Sequence, residues 1–322
     1  MTHKSSYLVD VPVLIIFFAR SSTLQQVFKS LQLAKPSKLL LWQDGPRDEK
    51  DLPGILECRK IFDKIDWECE VFTNYHESNI GCDPSTFLAQ KWAFSIVDKC
   101  IILEDDMVPS QSFYHYCKEL LDKYEFDERI NHICGINFVS DKIECDSDYL
   151  FSYYGTGAWA SWRRVAQGWD ESYSYLDDSR ILYNLSKRYP PLYRSAYETA
   201  LDRRRSGKAY WETILGFDAY LNNRLVIIPR VNMVTNIGVT PEATHGSSLK
   251  LMDKRVRNLF YMRADDLQLP LKHPRYVIAD YKYLDEMTKI NCMGRPLLAF
   301  SRRVMYYIKC IYYGEIWKKL KR

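Results

Sequence analysis

Four apolar runs, each leading through a polar turn to apolar residues at helical spacing, fill the first third of this 322-residue chain. Residues 11–18 (VPVLIIFF) read as a buried strand, rich in β-branched and aromatic side chains. Ala19 to Thr23 follows as a loop with helix-capping chemistry, and Leu24, Val27, Phe28 and Leu31 then recur with a helical period. Leu39 to Trp42 is a second strand, closed by the turn signal Gln43-Asp44-Gly45-Pro46. Residues 49–64 read as helix, 67–73 as strand, 84–97 as helix and 100–103 as the fourth strand. This alternation predicts an α/β fold with a mainly parallel sheet and right-handed crossovers. In such sheets ligands gather at the carboxyl ends of the strands. Arg20, Asp44 and Glu104-Asp105-Asp106 all fall there.

The fourth strand ends abruptly in three consecutive acids. Carboxylates crowded at the end of a buried strand repel one another and cost free energy unless a cation answers them. Hard carboxylate oxygens suit Mg²⁺ or Mn²⁺, usually shared with the phosphates of a substrate. The alternative is an acidic turn that caps the helix opening near Ser112. No GxGxxG follows the first strand and no GxxxxGK[ST] loop occurs, which disfavours a dehydrogenase-type dinucleotide site and a P-loop.

The second half is less regular. Gly155 to Arg164 sets small residues beside Trp159, Trp162, Arg163 and Arg164, either a ligand-facing segment or a glycine-rich strand in the core. Residues 177–208 are charged and mostly helical apart from Pro190-Pro191, and read as an excursion over one face. Leu225 to Pro229 is another strand, and Val231 to Gly238 leads into a loop around Thr240 to Gly246.

Composition narrows the class. Residues 297–322 hold seven basic side chains and one acid, leaving 38 basic against 40 acidic in the rest. A near-neutral body argues against nucleic-acid binding, which needs distributed basic patches. Nine cysteines without a CxxC spacing argue against zinc and suit reduced thiols in a cytoplasmic protein. The apolar run in the first 20 residues is too short to span a membrane. Phe300, Val304, Ile308 and Ile311 recur at helical spacing among tyrosines and basic residues. Residues 300–322 therefore suit peripheral contact with the inner face of the cytoplasmic membrane, or a helix docked on the body with a solvated basic end.

With these residues in place, the chain resembles the GT-A (Rossmann-like) nucleotide-sugar glycosyltransferases, nearest to the N-acetylglucosaminyltransferase I type and the bacterial hemolytic-protein-like sugar transferases. Val11 to Ile16 with Arg20-Ser21 resembles the first strand and its uridine-contacting arginine. Trp42-Gln43-Asp44 resembles the second, whose aspartate holds the uracil. Leu103-Glu104-Asp105-Asp106 is similar to the acidic metal motif, a DxD variant. Asn79 to Cys82, Ala158 to Arg164, Asn222-Asn223, Ile228 to Asn232, Thr235 to Gly238 and Ala243 to His245 extend the likeness to about residue 248.

The resemblance implies a metal-dependent, inverting transfer from a nucleoside-diphosphate sugar, with UDP as the expected nucleotide, to a glycan or lipid-linked glycan in surface polysaccharide synthesis. Asp106 would bind Mn²⁺ or Mg²⁺. Arg20, Asp44, Glu104, Asp105, Trp159 and His245 would contact the donor, His245 being otherwise a structural histidine. Where the bacterial group has Trp-Asp, this chain has Trp211-Glu212, so Glu212 is the expected base, with Asp218 as alternative. The implied organisation is a nucleotide-sugar half at 1–110, an acceptor half at 111–275 and a basic aromatic tail at 276–322. A sugar-nucleotidyltransferase and an inactive sugar- or nucleotide-binding protein of the same fold are the alternatives. The first would want a glycine-rich basic phosphate loop after the first strand, which Ala19 to Ser22 does not supply.

Overall fold

The computed structural model describes residue 6 and residues 8–155, 157–188, 190–239, 251–291 and 295–313. Strands β1 (Val9–Phe17), β2 (Pro36–Gln43), β3 (Glu70–Tyr75) and β4 (Lys99–Glu104) alternate with helices α1 (Ser21–Ala34), α2 (Leu52–Phe62) and α3 (Cys82–Ile96). The short β5 (Met107–Pro109) and α4 (Gln111–Lys123) follow, then β6 (Ile130–Cys134), β7 (Tyr149–Ser152), β8 (Trp159–Trp162) and α5 (Arg163–Ala166). Helices α6 (Ser179–Arg188), α7 (Pro190–Ser206) and α8 (Trp211–Leu221) precede β9 (Leu225–Pro229) and β10 (Val234–Asn236). The last elements are α9 (Lys254–Arg257), α10 (Tyr281–Asn291) and α11 (Pro296–Tyr312).

Eight strands form one sheet in the order β3-β2-β1-β4-β8-β6-β9-β7. The neighbours among β3, β2, β1 and β4 are parallel, as are β6 and β9, whereas β8 runs antiparallel between β4 and β6. This is the mixed, mainly parallel α/β architecture that the alternation predicts, with helices around the sheet and a C-terminal helix. Strands β1 and β4 are continuous apolar runs because both their faces are covered. Leu24, Val27, Phe28 and Leu31 of α1 are fully buried against them.

Register sets the edge where the site lies. Ile16 pairs with Trp42 on one side and Glu104 on the other, so β1, β2 and β4 end together. A two-stranded ribbon of β5 and β10 pairs Met107 with Asn236, bringing a segment 130 residues downstream back to the acids.

Several boundaries move for physical reasons. Arg20 is the N-cap and α1 opens at Ser21, so the two serines lie inside the helix rather than before it. The expected helix at 49–64 splits into a 3₁₀ turn at Glu49–Asp51 and α2, with Asp48 capping the turn and Pro53 in the first turn of α2, where its missing N–H costs nothing. The third strand starts at Glu70, because Trp67 turns inward and donates to the Pro36 carbonyl at 2.9 Å. Pro190 and Pro191 open α7 instead of breaking a helix.

Candidate functional site

A cavity of about 440 Å³ opens at the carboxyl ends of β1, β2 and β4. Arg20, Asp44, Glu104, Asp105 and Asp106 all line it, with Phe18, Asn79 and Gly238 among their neighbours. Five of the residues singled out in the sequence therefore share one wall system.

Glu104 ends β4, and Asp105 and Asp106 occupy the turn before β5. Arg20 donates from Nε to Asp105 Oδ2 at 3.3 Å, from Nη2 to Asp105 Oδ1, and from Nη2 to Asp106 Oδ2 at 2.9 Å. Burial disfavours the guanidinium charge, but the two aspartates outweigh it and hold Arg20 more firmly protonated than usual. Burial pushes Asp105 up to about 6; Arg20 opposes this and the charge of Asp106 adds to it. Glu104 is raised as well, first by burial and then by the charges of Asp106, Glu212 and Asp105, against Arg20. One arginine facing three acids leaves the turn short of positive charge.

Asp106 Oδ1 is buried and has no hydrogen-bond partner among the described residues. Gly238 presses on the same carboxylate: a Cβ there would lie 2.2 Å from Asp106 Oδ2. The contact is fixed by Ile237 N donating to the Asp106 carbonyl at 2.9 Å and by Gly238 N donating to Asn236 Oδ1 at 2.8 Å. An orphaned carboxylate oxygen in a surplus of negative charge fits a hard divalent cation. Among the described residues no group of three or more His, Cys, Asp or Glu side chains could hold a metal. A cation at Asp106 would therefore complete its shell with water and substrate oxygens, as Mg²⁺ commonly does.

Asp44 is also in the wall, but its acceptor positions are taken. Oδ1 accepts from Gly45 N at 2.9 Å and Ile80 N at 3.0 Å. Oδ2 accepts from Asn79 Nδ2 at 3.0 Å and Gly81 N at 3.1 Å. A carboxylate offers about four lone-pair sites, so in this structure Asp44 uses them to build the 79–81 loop.

The remaining expected residues lie elsewhere. Trp159 is buried in β8 and lines a second cavity of about 280 Å³, stacked on Trp211 at 5.6 Å and 10°. It backs that cavity and is not in the wall of the first. Glu212, in the first turn of α8, lines the second cavity too, where the helix N-terminus favours a carboxylate. Its charge acts on both Glu104 and Tyr154, so the two cavities are electrostatic neighbours. Asp218 faces neither cavity. It is 3% exposed and accepts from Asn131 at 2.6 Å, Asn222 at 3.0 Å and Arg224 at 3.1 Å. Burial raises its pKa and those donors oppose the rise, with Arg224 foremost. Its partners make it a structural tie between α8 and β6. His245 lies outside the described residues.

Sequence reading assigned no site role to Arg47, Met252 or Phe260, which also line the first cavity. Arg47 sits 5.2 Å from the Phe18 ring and pairs with Asp51 at 2.8 Å. The turn after the second strand was a usable signal for Arg47, whereas Met252 and Phe260 stand in an aperiodic stretch with none. The arginines after β8 prove structural. Arg164 donates to the carbonyls of Glu125 at 2.9 Å and of Tyr124, Asp127 and Ile130 at 3.1 Å, and Arg163 pairs with Asp98 at 2.9 Å.

No protein-family model matches this chain, and no curated protein matches it. Mouse xyloside xylosyltransferase 1 in its apo form is similar at 12% identity and a TM-score of 0.34, over 56% of this chain and 76% of that one. UDP-glucose pyrophosphorylase complexed with UDP-glucose is similar at 7% identity and a TM-score of 0.31, over 68% and 90%. TrmK of M. capricolum in complex with S-adenosyl-homocysteine follows at 12% and 0.19, over 66% and 94%. At these scores likeness carries no functional argument, and the chemistry of the site must.

Proposed function

We propose that this chain is a metal-dependent glycosyltransferase of the GT-A type. It would move a sugar from a nucleoside-diphosphate donor, UDP being the nucleotide of choice, to a glycan or lipid-linked glycan hydroxyl, with inversion at the anomeric carbon. The observation that carries the reading is the orphaned Oδ1 of Asp106, at the strand-end wall of a cavity of about 440 Å³. Mg²⁺ or Mn²⁺, when bound, supplies positive charge for the diphosphate that leaves.

The protein's own residues divide the remaining work. Arg20 holds Asp105 and Asp106 in one orientation through its paired donors. Gly238 leaves Asp106 room that any side chain would take. Asp44 fixes the loop from Asn79 to Gly81 in the donor cavity. Glu212 is the base: as the acceptor oxygen bonds to the anomeric carbon and the bond to the diphosphate oxygen breaks, the hydroxyl proton passes to its carboxylate and the electron pair leaves with the diphosphate. The second cavity, lined by Trp211, Tyr153 and Tyr154 beside Glu212, suits a sugar ring through aromatic faces.

Release of nucleoside diphosphate from a panel of nucleotide sugars, with Mn²⁺ or with a chelator, tests the reading. A turned-over donor, metal dependence and a loss of about 10²–10⁴-fold in Glu212→Gln support it. Nucleotide binding with no turnover of any donor, even by hydrolysis, points instead to a binding protein. Pyrophosphate-dependent formation of a nucleoside triphosphate points to a nucleotidyltransferase.

A further inference from the structure

Helix α11 sits on the body with its polarity reversed. Its inward side is charged: Arg302 donates to the carbonyls of Ile290 and Lys289, and Lys309 donates to the Met252 carbonyl at 2.7 Å. Its outward side is apolar. Leu297, Phe300, Val304, Ile308 and Ile311 recur at intervals of three and four and are all exposed, Leu297 by 84%. An ordinary surface helix buries such a stripe. A contiguous exposed apolar face marks an interaction site.

We propose that this face lies on an anionic membrane surface. Charge selects the occupant. Arg302 and Lys309 are engaged in the tethers, but Arg295 and Arg303 are exposed, residues 295–313 contain no acid, and the sequence beyond adds Lys318, Lys319, Lys321 and Arg322 against Glu315 alone. A second copy of the chain would bring the same positive charge to the contact, whereas an anionic lipid surface answers the flanking charge and the apolar stripe together. Tyr307 and Tyr312 lie on the exposed side, and aromatic rings of this kind favour the headgroup level. The helix lies in the plane of the surface, since no helix among the described residues is long and apolar enough to cross a membrane. Met252 lines the donor cavity, so the Lys309 tether ties the membrane-facing helix to the wall of the site. The inference rests on α11 itself and stands apart from the enzymatic reading.

Co-sedimentation of the full chain with phosphatidylcholine vesicles, with and without phosphatidylglycerol, tests it. The wild type should bind the anionic vesicles, more weakly as salt rises. Phe300→Glu with Ile308→Glu should lower that binding by about 100-fold or more, from the burial lost by two large apolar side chains. Its melting temperature should match the wild type, since both positions are exposed. Equal vesicle binding by the variant, or none by the wild type, overturns the proposal. So does a wild-type dimer that the substitutions dissolve while vesicles remain unbound, which assigns the face to a second copy.

Discussion

Asp44→Asn separates two roles for one residue. The variant keeps an oxygen for Gly45 N and Ile80 N, but presents an NH₂ group to Gly81 N and Asn79 Nδ2 in place of Oδ2. Flipping the Asn79 amide offers no escape, because its Nδ2 also donates to the Gly45 carbonyl at 3.0 Å. Two hydrogen bonds to a charged acceptor are lost at a buried site, each worth about 1.5–3 kcal/mol, for a cost of about 3–6 kcal/mol. With an unfolding entropy of about 2.1 cal/mol/K per residue over 322 residues, the melting temperature should fall by about 4–9 °C. Scanning calorimetry reads the shift directly, and nucleotide titration at a temperature where both proteins are folded reads binding. If Asp44 instead contacts the base, the melting temperature stays within about 1 °C while discrimination between uridine and other nucleotides collapses. That result would refute the loop-building account.

Three further outcomes follow from the geometry. Gly238→Ala places a Cβ within 2.2 Å of Asp106 Oδ2 and displaces that carboxylate, so metal-dependent turnover should drop by about 10²–10³-fold while stability falls by only about 1–3 kcal/mol, as activity and urea titrations will show. Arg164→Met removes a donor from four backbone carbonyls, of which Tyr124 and Asp127 keep a backbone N–H, and should cost about 2–4 kcal/mol in urea unfolding, with nucleotide affinity of the folded protein unchanged. Arg164→Lys should recover little, since a point charge cannot fan out to four acceptors. His132 is held neutral, its pKa drawn by burial from 6.5 to about 4 against a hydrogen bond that the ring donates to the Gly155 backbone. The unfolded chain binds this proton first, so the stability it protects is present above about pH 6.5 and fades towards pH 4, by about 3 kcal/mol. Urea midpoints across that range should fall more gently in His132→Asn.

The first half of the fold was legible because its signals are local. Apolar runs, helical spacing and turn residues mark β1 to β4 and put Arg20, Asp44 and the acids at one edge. Long-range pairing was not legible. Nothing in Trp159 to Trp162 says that the strand runs antiparallel between β4 and β6, because side-chain type in so short a run suits either direction. Asp44 looked like a ligand-binding carboxylate because its partners Asn79, Ile80 and Gly81 lie some 35 residues away. The same distance effect hid the packing of Gly238 on Asp106 and the burial of Asp218 among Asn131, Asn222 and Arg224. The period of α11 was plain, but periodicity does not say which face docks, and here the tethers are the basic residues.

The central claim is that Asp106 holds a divalent cation beneath a nucleoside diphosphate. Isothermal titration of UDP into the wild type and into Asp106→Asn, each with Mn²⁺ and with a chelator, tests it most directly. The account predicts binding that needs Mn²⁺ in the wild type and is lost in the variant, with both proteins equally folded. Metal-independent binding, equal in the two proteins, would contradict it and remove the acid turn from the donor site.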